Sequence, residues 1–355
     1  MLSKLLVISL FSDAYSGIVH PPAVSHYNCS DGNYYVFQSS FRSISFNTDG
    51  GAISMTPYVS VRILIEESLF DKCSSLTSGG GVFISSTLGS IFLKKVCGYD
   101  CWSTANQFGF FLSGLTKPNV CQLVSITKCA SQALSRTAAV YFQNGIQNHT
   151  STNSSNNQLT SYSGCYSNVA AQLNWEFSTI VNNYAHTSVC LYFVSSATSV
   201  SYQIFNSNFV SNNSPSLSVL CYDRAILYIR SSFFNDNSGF LLGNNAYTTS
   251  SYLYNCYLFH NANSVSVAAV TLSNSTIRTT SGSTLSIGHF ATYMCYNKDI
   301  IDILNENNAM KSPAQTIPPP PTDCFLESSP NSVLHINSVL SFLYISSVYL
   351  SMNIE

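Results

Sequence analysis

Three cysteines, Cys73, Cys101 and Cys129, fall at equal steps of 28 residues. The same step aligns Gly81-Val82-Phe83-Ile84 with Gly109-Phe110-Phe111-Leu112, and then with Thr137-Ala138-Ala139-Val140. A strand-like run precedes each cysteine: Val61 to Ile65, Ile91 to Val96, and Leu123 to Thr127. Strand, polar turn, cysteine, turn and strand thus recur three times in register. A unit this short cannot bury its own apolar face and is stable only when the next unit stacks on it. The chain is therefore constrained toward a solenoid.

A second register follows, in which Asn213, Asn237 and Asn261 lie 24 apart, as do Phe209, Phe233 and Tyr257. Leu241 and Val265 share that step. Between the registers, residues 146–164 are rich in Gln, Asn, Ser and Thr and poor in apolar side chains. They read as a polar loop insertion that interrupts the period. The segments are short, rich in Val, Ile, Phe and Tyr, and bounded by Ser, Asn and Gly, which marks strands. No helical periodicity is sustained before about residue 298. The expected fold is all-β: a right-handed parallel β-helix over residues 17–297, with coils of about 24–30 residues.

Stacking has chemical consequences at equivalent positions. Neighbouring strands lie roughly 4.8 Å apart, so equivalent side chains sit above one another. Asn residues at a turn can then bond up the stack as an amide ladder. Cys73, Cys101 and Cys129 would form a second ladder, either paired as disulfides or packed as small hydrophobes.

Composition narrows the function. Of 355 residues, 45% are hydrophobic and only 8% charged, and Ser outnumbers all charged residues together. A net charge of −2 supplies no electrostatic footprint for nucleic acid. Twelve cysteines without a C-x-x-C pair point to an oxidising compartment. Sequons at Asn28, Asn148, Asn153, Asn212 and Asn274 agree with secretion. Residues 1–16 read as a signal peptide, with Lys4 before the apolar run Leu5 to Phe11, and an apolar first strand is the alternative.

Beyond Tyr296 the pattern changes. Residues 298–312 read as a short capping helix, and 313–330, with Pro318-Pro319-Pro320-Pro321, as a stiff spacer. The tail 331–355 carries an apolar stretch, Val333 to Met352, long enough to span a bilayer. A membrane anchor, an extra strand pair and a frayed end are the readings of it.

β-helix enzymes acting on acidic sugars use clustered carboxylates as metal ligands or acid/base pairs. The densest cluster is Glu66-Glu67-Asp71 with Lys72, and a solvated turn is its simpler reading. Seven histidines are scattered, and His260 reads as a turn residue beside Asn261. No Gly-x-Ser-x-Gly elbow, Walker motif or dinucleotide motif is present. No catalytic residue, metal site or cofactor is expected. Among the 22 tyrosines, Tyr252 and Tyr254 share one strand face and read as a core ladder, with binding through Tyr252, Tyr254 and Tyr257 as the alternative.

Short motifs resemble the polymorphic outer-membrane-protein (Pmp) repeats, which carry G-G-A-[ILV] and F-x-x-N tetrapeptides. Gly50-Gly51-Ala52-Ile53 matches the first; Phe205-Asn206-Ser207-Asn208, Phe209-Val210-Ser211-Asn212 and Phe234-Asn235-Asp236-Asn237 match the second. Large protist families of surface proteins look similar. The resemblance implies a right-handed β-helix serving adhesion or display toward host-cell proteins or glycans, without an active site. A carbohydrate-active β-helix enzyme and a truncated, non-functional family member are the alternatives.

Overall fold

A computed structural model describes residues 27–29, most of 34–259, residue 265, and residues 270–278 and 282–285. The signal peptide, capping helix, spacer and tail expected from the sequence lie outside the described residues, as does His260. Among the described residues every regular element is a strand, and all pairings are parallel. The fold is a right-handed parallel β-helix with about seven turns described on every side.

One turn shows how the sequence builds the cross-section. Strand Arg62–Glu66 forms the first side, Leu69–Asp71 the second, Ser74–Ser75 a short third and Val82–Ser86 the fourth. Glu67 and Lys72, with φ of 48° and 53°, bend the chain between the first three sides. These bends stack. One column of positive-φ residues runs through Glu67, Lys95, Leu123, Ser151, Phe177, Asn206 and Ser231. The other runs through Ser43, Lys72, Asp100, Lys128, Asn156, Asn182, Ser211 and Asp236. Left-handed backbone at these points turns the strand direction without interrupting the ladder of hydrogen bonds.

The interior is filled by columns of like side chains. On the first side Val36, Ile65, Leu93, Cys121, His149, Trp175, Ile204, Ile229 and Leu253 stack in register. On the second side Phe41 stacks on Phe70 at 4.8 Å, and Phe209 on Phe234 at 4.5 Å. Gly98 occupies the same column between them, and the ring of Phe110 fills the space its missing side chain leaves.

Two columns of small polar residues close the corners. Ser178 Oγ accepts the N–H of Thr152 at 3.1 Å and donates to its own coil at Glu176 O, 2.9 Å. Ser207 and Ser232 repeat this arrangement one and two turns on. At the next corner the column reads Ile44, Cys73, Cys101, Cys129, Asn157, Asn183, Asn212, Asn237. It begins apolar and ends as an amide ladder. The three cysteines are buried free thiols, packed as a continuation of that ladder. The Cys73 and Cys101 thiols point at backbone carbonyls, Cys101 at Phe70 O and Tyr99 O, both 3.5 Å.

Several sequence expectations change at this point. Residues 146–164 are not an inserted loop: Ile146–Ser155 is a ten-residue strand, paired with Pro118–Thr127 at the same 28-residue step. It escaped notice because its inward side chains are polar, namely Gln147, His149, Thr152 and Ser154. The 24-residue step holds from Phe233 to Tyr257, but Phe209 pairs with Phe234 and Asn212 with Asn237, at 25. Aligning Asn213 with Asn237 is off by one, and one residue exchanges the two faces of a strand. On the fourth side Phe110 pairs with Val140, not Ala138, so that step is 30.

Sequons change as well. Asn153 and Asn212 are buried, the latter inside the amide ladder, so a glycan at either is incompatible with this packing. Asn148 is half-buried and accepts from Asn174 Nδ2 at 2.8 Å, while Asn274 is exposed. Asn28 lies in the first described strand, Tyr27–Cys29. The tetrapeptides have structural counterparts. Gly50-Gly51-Ala52-Ile53 stacks on Gly79-Gly80-Gly81-Val82, with Gly51 N–H to Gly79 O at 3.1 Å. Phe209 and Phe234 face the core while Asn212 and Asn237 enter the ladder. Phe205 differs, for it faces outward beneath Arg230, 5.5 Å from the ring centre, and Asn206 forms a bend.

Candidate functional site

Alternation along each strand sends every second residue of the fourth side outward. In that outer column five successive turns place an aromatic ring: Phe83, Phe111, Tyr141, Tyr166 and Tyr192. Neighbouring ring centres lie 4.7, 5.0, 5.0 and 5.4 Å apart. Tyr162, entering from the turn before its strand, stacks on both Tyr166 (4.5 Å) and Tyr192 (5.1 Å).

The column then shrinks abruptly. After Tyr192 comes Cys221, and after that Gly243. Two small residues beyond five large ones leave a depression of about 540 Å³, counted to its open mouth. Tyr162, Val189, Tyr192 and Cys221 form its inner wall. Its rim carries Leu217 and Phe240, 52% and 39% exposed, with the hydroxyls of Ser188, Ser216 and Ser218. No charged side chain lines it. Burial, and then the nearby Asp223 carboxylate, push the Cys221 thiol up to about 12, so it stays protonated at neutral pH and serves as a neutral wall. Burial likewise raises the Tyr162 and Tyr166 hydroxyls, which remain neutral hydrogen-bonding groups.

The residues singled out in the sequence fall elsewhere. Tyr252 and Tyr254 are not core: Ser251 and Leu253 face inward at that turn, and the tyrosines lie half-buried on the outside of the first side. Tyr252 stacks on Tyr228 at 5.2 Å, and the Arg230 guanidinium lies 5.5 Å from the Tyr254 ring. Tyr257 is 48% exposed on the second side. Glu66 pairs with Lys94 at 2.5 Å and accepts from the Tyr35 hydroxyl at 2.9 Å, whereas Glu67 pairs with Lys95 at 2.6 Å. The cluster is thus divided between cross-turn ion pairs. Among the described residues no three or more His, Cys, Asp or Glu converge as a metal ligand set. The depression itself was missed in the sequence. Its signal was the outward column of rings, hidden by steps that change from 28 to 30, 25 and 26 residues.

No family model, curated protein or solved structure matches the chain.

Proposed function

We propose that the chain is a non-enzymatic, secreted or cell-surface repeat protein whose outer aromatic column and adjoining depression bind a neutral glycan in adhesion or display. The observation that carries this reading is the five-ring column ending in a depression lined by aromatic, aliphatic and hydroxyl groups without charge. Sugar rings present an apolar face and a rim of hydroxyls, and such a wall complements both. The low charge of the whole chain favours a neutral ligand over an acidic one. Kinship with Pmp-like surface repeats is part of the proposal, supported by the β-helix and by the stacked positions of the Gly-Gly-Ala-Ile and Phe-x-x-Asn segments. Membrane attachment through the apolar stretch of the tail 331–355 is part of the same proposal.

Binding of the full chain to immobilised neutral and acidic oligosaccharides tests this. Neutral glycans are expected to bind, and Leu217→Ala with Phe240→Ala to weaken them without altering the circular dichroism spectrum. No binding above control, or steady cleavage of a bound oligosaccharide, would sink the reading.

A further inference from the structure

On the first side, strand Ala225–Arg230 sends Tyr228 and Arg230 outward, and the next turn pairs Tyr252 and Tyr254 with them in register. Tyr252 stacks on Tyr228 at 5.2 Å and stands alongside Tyr254 at 6.4 Å, with ring planes 14° and 10° apart. One rung further on, the same two positions hold only Thr271 and Ser273, both exposed. The rings therefore end in a step, floored by small side chains that carry hydroxyls.

Arg230 stands beside this step. Its guanidinium lies 5.5 Å from the Tyr254 ring centre, 5.9 Å from that of Tyr228, and 5.5 Å from that of Phe205 on the preceding turn. Rings on both neighbouring turns thus hold the charged group by cation–π attraction. The side chain is exposed, and among the described residues its N–H donors meet no carboxylate or other acceptor. Lys94 and Lys95, by contrast, are each engaged by a glutamate. Arg230 is held in place without a counter-charge, and a fork fixed in this way loses little freedom on meeting an anion.

We propose that this step is a second binding site, for a sugar ring that bears a carboxylate. The carboxylate matches the guanidinium fork through two parallel hydrogen bonds. The apolar face of the sugar packs on Tyr252 and Tyr254, and its hydroxyls meet those of the tyrosines, Thr271 and Ser273. A single cation balances a single carboxylate, whereas a nucleic acid strand is held by several. A peptide cannot add as a strand here, because Ala225–Arg230 is already paired along both edges, with Val200–Phe205 and Ser251–Tyr254. The net charge of −2 acts on distant encounter, while the guanidinium acts at contact. The step lies on a different side from the uncharged depression and stands independently of it.

Calorimetric titration of the full chain with sialyllactose, with a glucuronic acid disaccharide, and with the carboxyl-reduced form of each tests the site. One or both carboxylated sugars are expected to bind, roughly tenfold or more tightly than the reduced form. Arg230→Gln should weaken that binding by roughly tenfold. Arg230→Lys, which keeps the charge and loses the fork, should weaken it several-fold. Leu76→Ala, an exposed residue on another side, should leave it unchanged. Binding of neither sugar, equal binding of the reduced forms, or wild-type affinity in both Arg230 variants overturns the proposal. Displacement of the sugar by an equal concentration of a Glu-rich hexapeptide overturns it too, and assigns the patch to a protein partner.

Discussion

Asn183 and Asn212 stand one turn apart and are joined twice: the Oδ1 of Asn212 accepts both the Nδ2 and the backbone N–H of Asn183, each at 3.1 Å. The two Nδ2 protons of Asn212 go to Ile180 O at 2.8 Å and Asn237 Oδ1 at 3.1 Å. Every polar atom of the amide is used, so the ladder holds its corner although it lies in a dry interior.

Asn212→Ala removes the acceptor of two buried donors. Each orphaned donor costs about 1–3 kcal/mol, so the variant should lose roughly 2–6 kcal/mol of stability. Asn274→Ala, at an exposed corner, should change stability by less than about 0.5 kcal/mol. Urea denaturation of the two variants compares them directly. Equal midpoints would remove the ladder from the account of stability.

His149 lies fully buried between Phe142 and Trp175, with ring centres 4.4 and 4.5 Å away. Neither imidazole nitrogen has a hydrogen-bond partner among the described residues. Burial lowers its pKa to about 3, from an unfolded value of about 6.5. The unfolded chain therefore takes up the proton first as the medium is acidified. Stability contributed by the neutral form is complete above about pH 6.5 and declines toward pH 3. The full decline is about 4–5 kcal/mol. Asp71, whose carboxyl is raised by burial, acts with the opposite sign in the carboxylate range. His149→Phe should flatten the curve between pH 6 and 4, as read by thermal melts across that window (roughly one proton less in the linkage).

Gly51 sits where two turns touch. A Cβ there would lie 2.0 Å from Gly80 O and 2.5 Å from Ser74 O, both backbone atoms that cannot yield cheaply. Gly51→Ala is expected to destabilise by several kcal/mol, at or beyond the roughly 4 kcal/mol that marks exceptional single substitutions. A wild-type melting temperature in this variant would contradict the close stacking of the two glycine pairs.

Val169 has φ of 55°, a conformation that a β-branched residue resists, at the register shift between Ser167 and Ala170. Val169→Asn should relieve that strain and add about 1 kcal/mol of stability. Chemical denaturation measures the gain, and a loss would show that the valine side chain contributes more through its contacts than its backbone costs.

Much of the fold was legible in the sequence because Cys73, Cys101 and Cys129 occupy one corner without insertions between them. Equal spacing in sequence then reports equal position in space. The strand Ile146–Ser155 was illegible for a physical reason: a stacked strand can bury Gln147 and Ser167 against each other, Oγ to Oε1 at 2.7 Å, and so needs no apolar pattern. The aromatic column was half legible. Phe83 and Phe111 share the 28-residue step, but Tyr141 and Tyr166 come into line only once loop lengths are known. Hydropathy finds strands that look like core, and columns are found only by register.

The bends described earlier bear on how such a chain can diversify. Six of the scarce charged residues, Glu67, Lys72, Lys95, Asp100, Lys128 and Asp236, stand at left-handed corners of these two columns, each at least partly open to solvent. Glu, Lys, Asp, Asn, Ser, Leu and Phe all occupy this conformation somewhere along the two columns. The corners form two ridges that accept polar, charged and apolar side chains alike. Mutational drift can therefore rewrite the outline that another molecule meets, turn by turn, while the buried ladders keep the same molecule folded beneath it.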